Sequence, residues 1–224
     1  MDHDIGHLLN NWDFEPDEFL ARRIQADDGS EKIQIRIDMG ILQLETAGRP
    51  DGALPFGYSS LLDYHLAQVE ASKEGEYAFD EDQCEDLFQE AWQFYHRYLS
   101  LFYLEDYAGV VEDTEHTLNI FDLVNEFAPN DEVRWYFEQY YPHAIMMQTR
   151  ARAMIALESE DYPTALNAVE EGIANIESFV EEWESEIEEE IPELSFLREW
   201  HEELEQERPL TQREQLERDL DEAV

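Results

Sequence analysis

Two stretches of this sequence repeat one pattern 55 residues apart (161 minus 106), and this repeat most constrains what the chain can fold into. The stretches are LEDYAGVVEDTEHTL and SEDYPTALNAVEEGI. In each, a long helix with an apolar stripe ends in Glu-Asp-Tyr, and a second helix begins at once. The pattern predicts two helical hairpins of one design, with Tyr107 and Tyr162 filling the turns. Val110 and Ala165, three positions further on, let the two helices of each hairpin approach closely.

The second copy resembles the tetratricopeptide repeat, a family of stacked helical hairpins. The matching residues are Asp161, Tyr162, Ala165, Leu166, Val169, Gly172 and Ile173, with Ala153 in the preceding helix. The first copy departs from the family pattern at Tyr98, Thr114 and Thr117, and the period exceeds the usual length of about 34 residues. The resemblance implies lengthened hairpins over residues 82–127 and 132–190, with a concave groove that binds a peptide or a partner helix. An ordinary antiparallel helical bundle is the alternative.

The whole chain predicts a mainly α fold with a small N-terminal antiparallel β-hairpin or sheet (α+β). In residues 1–57, Ile33 and Ile35 alternate with polar residues, as in a strand with one buried face. The apolar phase changes after Gly40, which indicates either a β-bulge or two strands separated by a bend. Such a small sheet is marginal alone, so we expect it to pack on the helices or on another chain.

Residues 58–190 are expected to form the helical domain that contains both hairpins, and residues 191–224 a set of acidic C-terminal helices. Pro142 is expected to kink or break the first helix of the second hairpin. Pro192 is expected to stop the second helix of that hairpin.

The last residues, PLTQREQLERDLDEAV, resemble the opening of the UVR motif, a helical hairpin of excision-repair nuclease subunits and of kinase and chaperone adaptors. The matching residues are Leu216, Leu220, Ala223 and Val224. With KIQIRIDMGILQLETAGRPDG and GYSSLLDYHLAQ, the whole chain resembles a group of bacterial UVR-motif proteins of unknown function. This resemblance implies pairing with a second copy of the motif in a partner, and it provides no catalytic residue.

The charge is extreme, with 56 acidic residues against 14 basic ones and a formal net charge of −42. Three interpretations stay open: an acidic surface suited to a salty cytoplasm, attraction to a basic protein partner, and mimicry of nucleic acid. Direct nucleic-acid binding is not expected, because phosphates would be repelled and the sequence holds no basic patch. The single cysteine, the lack of a signal peptide and the lack of a long apolar run predict a cytoplasmic chain without a membrane contact.

Candidate partner-binding residues are the off-stripe aromatic and basic ones. They are Tyr95, Arg97, Tyr103, Arg150, Arg152, Trp135, Tyr136 and Tyr140. For the three arginines, ion pairing inside the protein is the alternative. The run WYFEQYY holds five rings in seven residues, more than one helix face can bury. We expect some of these rings to face the N-terminal sheet, a partner chain or a ligand groove.

No catalytic, metal or cofactor site is expected. The nearest approach to a metal motif is Asp113-x-x-His116, whereas a di-iron bundle needs Glu-x-x-His twice. Cys84 stands among acidic residues, which disfavour a reactive thiolate. The sequence therefore predicts a non-enzymatic protein-binding scaffold or adaptor, with self-association as a homodimer a further option. The alternatives are an acidic mimic that sequesters a basic protein, and an enzyme with an unrecognised carboxylate site.

Overall fold

The N-terminal part forms a three-stranded antiparallel sheet in a computed structural model that describes residues 4–73, 77–187 and 189–209. The strands are β1 Ala21–Gln25, β2 Glu31–Ile37 and β3 Gly40–Glu45, in the order β1-β2-β3. Ile37 pairs with Gly40, so residues 38 and 39 form a two-residue turn. The phase change in the sequence is therefore a bend between two strands and not a β-bulge.

The rest of the described chain is mainly helical, which confirms the predicted fold class. The helices are α1 Gly6–Leu9, α2 Leu61–Ala71, α3 Glu81–Tyr103, α4 Tyr107–Phe127, α5 Asp131–Glu138, α6 Tyr141–Leu157, α7 Tyr162–Glu182 and α8 Pro192–Glu207. The polar residues before the apolar stripes act as N-caps: Ser60 begins α2, Asp80 begins α3 and Asn130 begins α5. The break predicted near Pro142 is present, and it separates α5 from α6.

Both hairpins turn in the same way, as the repeat predicts. Glu105 and Glu160 adopt the left-handed conformation, with φ of 60° and 56°. The N–H groups of Asp106 and Asp161 then donate to carbonyls five residues earlier, at 2.8 and 3.0 Å. Each aspartate also caps the next helix, accepting from the N–H three residues on. This combination of a left-handed residue, a closing hydrogen bond and an aspartate cap ends one helix and starts the next after three residues in the first hairpin and four in the second.

The prediction for Pro192 is wrong. The second helix of the second hairpin, α7, ends at Glu182, and Pro192 lies in the first turn of α8. Proline suits this position because the first helical N–H groups have no partner within the helix. Leu197 and Leu204 of α8 share one hydrophobic core with α6 and α7, so the predicted division at residue 191 does not separate two cores.

The sheet packs on the first hairpin, as expected. The buried residues of this contact are Ile33, Ile35 and Leu44 of the sheet and Tyr98, Leu101, Tyr107 and Val110 of α3 and α4. The hairpins then stack through α4 and α6, which bury residues against each other along their length. As a result α3 and α6, the first helices of the two hairpins, flank α4 on the same side of the molecule.

The second hairpin is closely packed at Gly172 of α7. A Cβ atom at this position would lie 2.1 Å from Oγ1 and 2.7 Å from Cγ2 of Thr149 in α6. Since these distances are far below van der Waals contact, only glycine fits between the two helices here. The small residue that the repeat pattern places at this position is thus required by helix packing.

Gly172→Ala should destabilise the protein by about 1–3 kcal/mol, as overpacking of a close contact does. An unhindered Gly→Ala change inside a helix instead stabilises by about 0.5–1 kcal/mol, so the sign distinguishes the two cases. Urea unfolding measures the change. Adding Thr149→Ala to the variant removes the two closest atoms and should recover most of the loss, with Thr149→Ala alone as the control. A Gly172→Ala protein as stable as the wild type would contradict this packing.

Candidate functional site

A concave groove lies between α3 and α6, with α4 as its floor. Its cavity measures about 270 Å³. The lining residues are Phe88, Ala91, Trp92, Tyr95 and Tyr98 of α3, Thr117 and Phe121 of α4, Gln139, Tyr140, His143 and Ala144 around the start of α6, and Glu193 of α8. The groove forms because Phe88, Trp92 and Tyr95 follow helical spacing along one face of α3.

Several aromatic rings at the groove are only partly covered. Trp92 is 44% exposed and stacks on Tyr95, with ring centroids 4.8 Å apart. Tyr136 and Tyr140 are 50% and 40% exposed, and both rings contact Phe88. Of the three surfaces that could cover the run WYFEQYY, the N-terminal sheet is excluded, because it packs against α3, α4 and α6 at another place. Three large rings at the edge of a concave site are typical of a binding surface.

The groove also holds a few polar groups. Burial raises the pKa of the Tyr98 hydroxyl well above its usual range, so Tyr98 stays neutral. His143 Nδ1 lies 3.7 Å from Oε1 of Glu193, and this contact lowers the pKa of the Glu193 carboxyl. The Nε2 atom of His143 is buried and has no hydrogen-bond partner within the described part of the chain. The site thus combines apolar walls with a few directed polar atoms, as sites that bind a side chain or a small ligand do.

Arg97 does not line this groove. It is 4% exposed and donates to both carboxylate oxygens of Asp113, at 2.8 and 2.6 Å. It also donates to the carbonyl oxygens of Glu45 and Gly48, at 3.1 and 2.7 Å. The interpretation of Arg97 as a partner-binding residue is therefore wrong, and the alternative of internal ion pairing holds. Its guanidinium joins the end of β3 to the first hairpin.

A second buried group, Glu90 of α3, binds the start of α2. Its side chain is fully buried and accepts from the N–H groups of Leu61 and Leu62, at 2.7 and 3.1 Å. Its Oε1 atom also lies 3.1 Å from Nε2 of His116. A carboxylate at a helix N-terminus satisfies free N–H groups and interacts favourably with the helix dipole. Glu90 therefore fixes α2 on the hairpin.

The charged side chains of Arg97, Asp113 and His116 lie close together, and each has a partner within the protein. A small cavity of about 210 Å³ adjoins Arg97, Asp113 and His116. Burial raises the pKa of Asp113 even though Arg97 opposes the shift. The pair Asp113 and His116 does not form a metal site, since the first side chain pairs with Arg97 and the second with Glu90. In the described ranges, no group of three or more His, Cys, Asp or Glu side chains could hold a metal ion.

The other predicted residues fall in different places. The guanidinium of Arg150 is partly buried, 4.3 Å from the ring of Phe102 and 5.1 Å from that of Phe196, and burial lowers its pKa. Arg152 is exposed. Tyr103 is 50% exposed at the end of α3, in contact with Phe19. Trp135 of α5 stacks on Phe179 of α7, and its ring also contacts that of Trp183. Only Tyr95 and Tyr140 of the predicted set line the groove, with Tyr136 beside Phe88.

Sequence reasoning missed several groove residues, namely Phe88, Trp92 and His143. Phe88 and Trp92 belong to the apolar stripe of α3, which predicts core positions rather than a surface. The sequence does hold one signal for a surface, which is the width of that stripe. The buried face of α3 is complete without Phe88, Trp92 and Tyr95, so these rings extend the apolar stripe beyond the core. Nothing in the sequence next to Glu90 or His143 indicates that these side chains have a special position in the fold.

A further buried carboxylate is that of Glu138 in α5. Glu138 is 5% exposed. Burial and the neighbouring carboxylates of Asp122 and Glu182 raise its pKa to about 7. The folded protein thus holds a proton on Glu138 at a pH where the unfolded chain has lost it.

Removing either member of the buried pair Arg97 and Asp113 should cost about 3–5 kcal/mol of stability, because the other charge is left buried and unpaired. We expect Arg97→Ala to cost more than Asp113→Ala, since Arg97 also binds two backbone carbonyls. The double variant should cost much less than the sum of the two. Denaturant unfolding of all three variants measures the coupling, and the exposed Arg152→Ala, expected within about 0.5 kcal/mol of wild type, is the control. Additive losses would contradict the pairing.

The contribution of Glu138 to the free energy of unfolding should fall as the pH rises from 4.5 to 7. The folded-state pKa of about 7 lies above the ordinary 4.5, so the folded state binds more protons over this window. Glu138→Gln should therefore be more stable than wild type at pH 8, by about 2–3 kcal/mol, and similar to wild type near pH 4.5. Urea unfolding at both pH values measures this difference, with the exposed Glu132→Gln as the control. A Glu138→Gln effect that is equal at both pH values would contradict the raised pKa.

Comparison with known proteins leaves the groove as the main basis for inferring function. No family model matches this chain, and no curated protein or solved structure matches it. In the part of the chain that the structure describes, no helix is both long and apolar enough to span a bilayer. The residues and geometry of the groove therefore carry the functional argument.

Proposed function

We propose that this chain is a non-enzymatic protein-binding scaffold that takes a segment of a partner protein into the groove between α3 and α6. The observation that carries this proposal is the pair of partly exposed rings of Trp92 and Tyr140 that line one concave site. The half-exposed ring of Tyr136 lies next to them, against Phe88. Leaving large rings in water is unfavourable, by about 25 cal/mol per Å² of apolar surface that a partner could cover. Aromatic side chains in a concave site are also the usual anchors of protein interfaces.

The repeated hairpins support the same proposal. The turns at Glu105-Asp106 and Glu160-Asp161 have the same backbone conformation and the same cap. Two such hairpins, stacked through α4 and α6, place their first helices along one groove, as the tetratricopeptide resemblance implies. The C-terminal residues that carry the UVR resemblance, Leu216, Leu220, Ala223 and Val224, lie outside the described residues. A cytoplasmic location and a homodimer joined at a sheet edge belong to the proposal on the strength of the sequence alone.

The acidic mimic is the second candidate, and the charge favours it. The formal charge of −42 would attract any strongly basic protein, whatever the shape of the groove. Such attraction weakens as salt screens it, with a Debye length of about 3 Å at 1 M. An anchor in an aromatic groove depends on apolar burial and keeps most of its strength. Salt and groove substitutions together therefore separate the two candidates.

Affinity capture from the native lysate at low and high salt, with partners identified by mass spectrometry, tests the proposal. We expect a defined partner that wild type retains at high salt and that the double variant Trp92→Ala/Tyr140→Ala loses, because that variant removes two exposed rings without opening the core. The matched control is Phe56→Ala, which removes a ring that is 74% exposed and outside the groove.

Two results would contradict the scaffold proposal. One is a set of basic proteins that salt releases and that all variants bind equally. The other is a salt-resistant partner that Trp92→Ala/Tyr140→Ala binds as well as wild type does. The first of these results would support the acidic mimic.

A further inference from the structure

A second cavity adjoins the groove and gives the site two parts of different chemistry. It measures about 420 Å³ and lies between the first half of α3 and the short helix α5, which joins the two hairpins. Its lining residues are Glu81, Cys84, Glu85, Phe88 and Gln89 of α3 and Asn130, Glu132, Val133, Tyr136 and Phe137 in or before α5. Phe88 lines both cavities, so one bound segment can reach into the two together. We call the first the aromatic cavity and the second the acidic cavity.

The acidic cavity carries negative charge that its surroundings do not neutralise. Glu81, Glu85 and Glu132 are all exposed, and none of them forms an ion pair with the described residues. Among the residues that the structure describes, no lysine or arginine lines either cavity. The one arginine of α5, Arg134, pairs with Asp131 at 2.9 Å. The described residues therefore leave this site without a cation, and a bound molecule can supply one.

The N-termini of α3 and α5 also lie at this cavity, and free N–H groups there would favour an anion instead. Both ends are already capped by side chains. Asp80 accepts from the N–H of Gln83, and Asn130 accepts from that of Val133. One donor at each end is thus occupied, the cap of α3 is itself a carboxylate, and three further carboxylates are nearby, so the field of the cavity favours positive charge.

The aromatic cavity, by contrast, suits one bulky uncharged side chain. Its volume of about 270 Å³ is below the range of about 300–1,000 Å³ that is typical of sites for whole small molecules. Most of its described lining residues carry rings, and the one carboxylate among them, that of Glu193, lies beside His143. A leucine, phenylalanine or tryptophan side chain matches this size and polarity.

We infer that the partner segment carries a bulky apolar or aromatic side chain for the aromatic cavity and, one to three positions away, a lysine or arginine for the acidic cavity. This inference rests on the proposed function and adds the chemistry of the partner. Burial of the apolar side chain supplies affinity, whereas the neighbouring cation fixes direction and selects among partners. Because the cation meets exposed carboxylates, its contribution falls with salt while that of the anchor remains.

Fluorescein-labelled 12-residue peptides, titrated with the full chain and followed by fluorescence anisotropy, test this inference. Each peptide carries one anchor residue, which is Trp, Leu or Ser. The two residues that flank the anchor are both Arg, both Gln or both Glu. We expect peptides with a Trp or Leu anchor and Arg flanks to bind at least tenfold more tightly than those with a Ser anchor or with Gln flanks. The peptides with Glu flanks should not bind.

Two variants assign the halves of the peptide to the two cavities. Trp92→Ala should weaken binding of the Arg-flanked apolar peptides at least tenfold. The triple variant Glu81→Gln/Glu85→Gln/Glu132→Gln should remove the preference for Arg over Gln and leave binding of the Gln-flanked peptides unchanged. Its control is Glu199→Gln/Glu202→Gln/Glu203→Gln, which removes the same charge from exposed positions of α8 and should keep the preference.

The inference is overturned if the Arg and Gln flanks bind equally, if both triple variants lose the preference alike, or if no peptide binds. Equal binding of Arg-flanked and Gln-flanked apolar peptides, still lost in Trp92→Ala, would overturn the inference and leave the proposed function standing. Failure of the proposed function is detected separately, in the affinity-capture experiment, by a salt-resistant partner that binds Trp92→Ala/Tyr140→Ala as well as wild type.

Discussion

The position of the N-terminal part depends on two buried carboxylates of the first hairpin. Glu90 binds the free N–H groups at the start of α2, and Asp113 holds Arg97, which binds the backbone at the end of β3. A buried charge is costly unless all its partners are in place, so a shifted sheet or a shifted α2 would leave these groups unsatisfied. We propose that the network selects one docking geometry more than it adds stability. Shape complementarity of the apolar contacts alone would specify that geometry less sharply.

This anchoring bears directly on the groove, because both features use α3. Residues two apart on a helix differ by about 200° around its axis, so Glu90 and Trp92 point to opposite sides. The side with Glu90 and Arg97 is fixed by the sheet, by α2 and by α4. The opposite side, with Phe88 and Trp92, is then held in position without having to be buried itself. A helix fixed on one face can expose aromatic side chains on the other at little loss of order, which suits a preformed binding site.

Local signals predicted the helices and hairpin turns well, whereas partners distant in sequence were not predictable. The aspartate caps at Asp106 and Asp161 depend on neighbours within three residues, so the repeat gave the turns correctly. Pro192 was misjudged because proline both ends a helix and starts one, and the sequence does not choose between these roles. Glu90 is one glutamate in a chain with 56 acidic residues, and only the assembled fold shows that it is buried. For the same reason, Arg97 could not be told from an arginine that binds a partner.

The ion pairs of the few basic residues help to interpret the strong negative charge of this chain. Arg23 pairs with Glu31 and Asp106, Lys32 pairs with Glu45, and Arg97 is buried with Asp113. Much of the positive charge therefore neutralises acidic residues inside or between elements of the fold, and most carboxylates stay at the surface. General acidity would keep the protein soluble and attract basic proteins without discrimination. Under the proposed function, carboxylates placed beside an aromatic cavity would add selectivity, because a partner would have to present an apolar side chain and a cation at the same time.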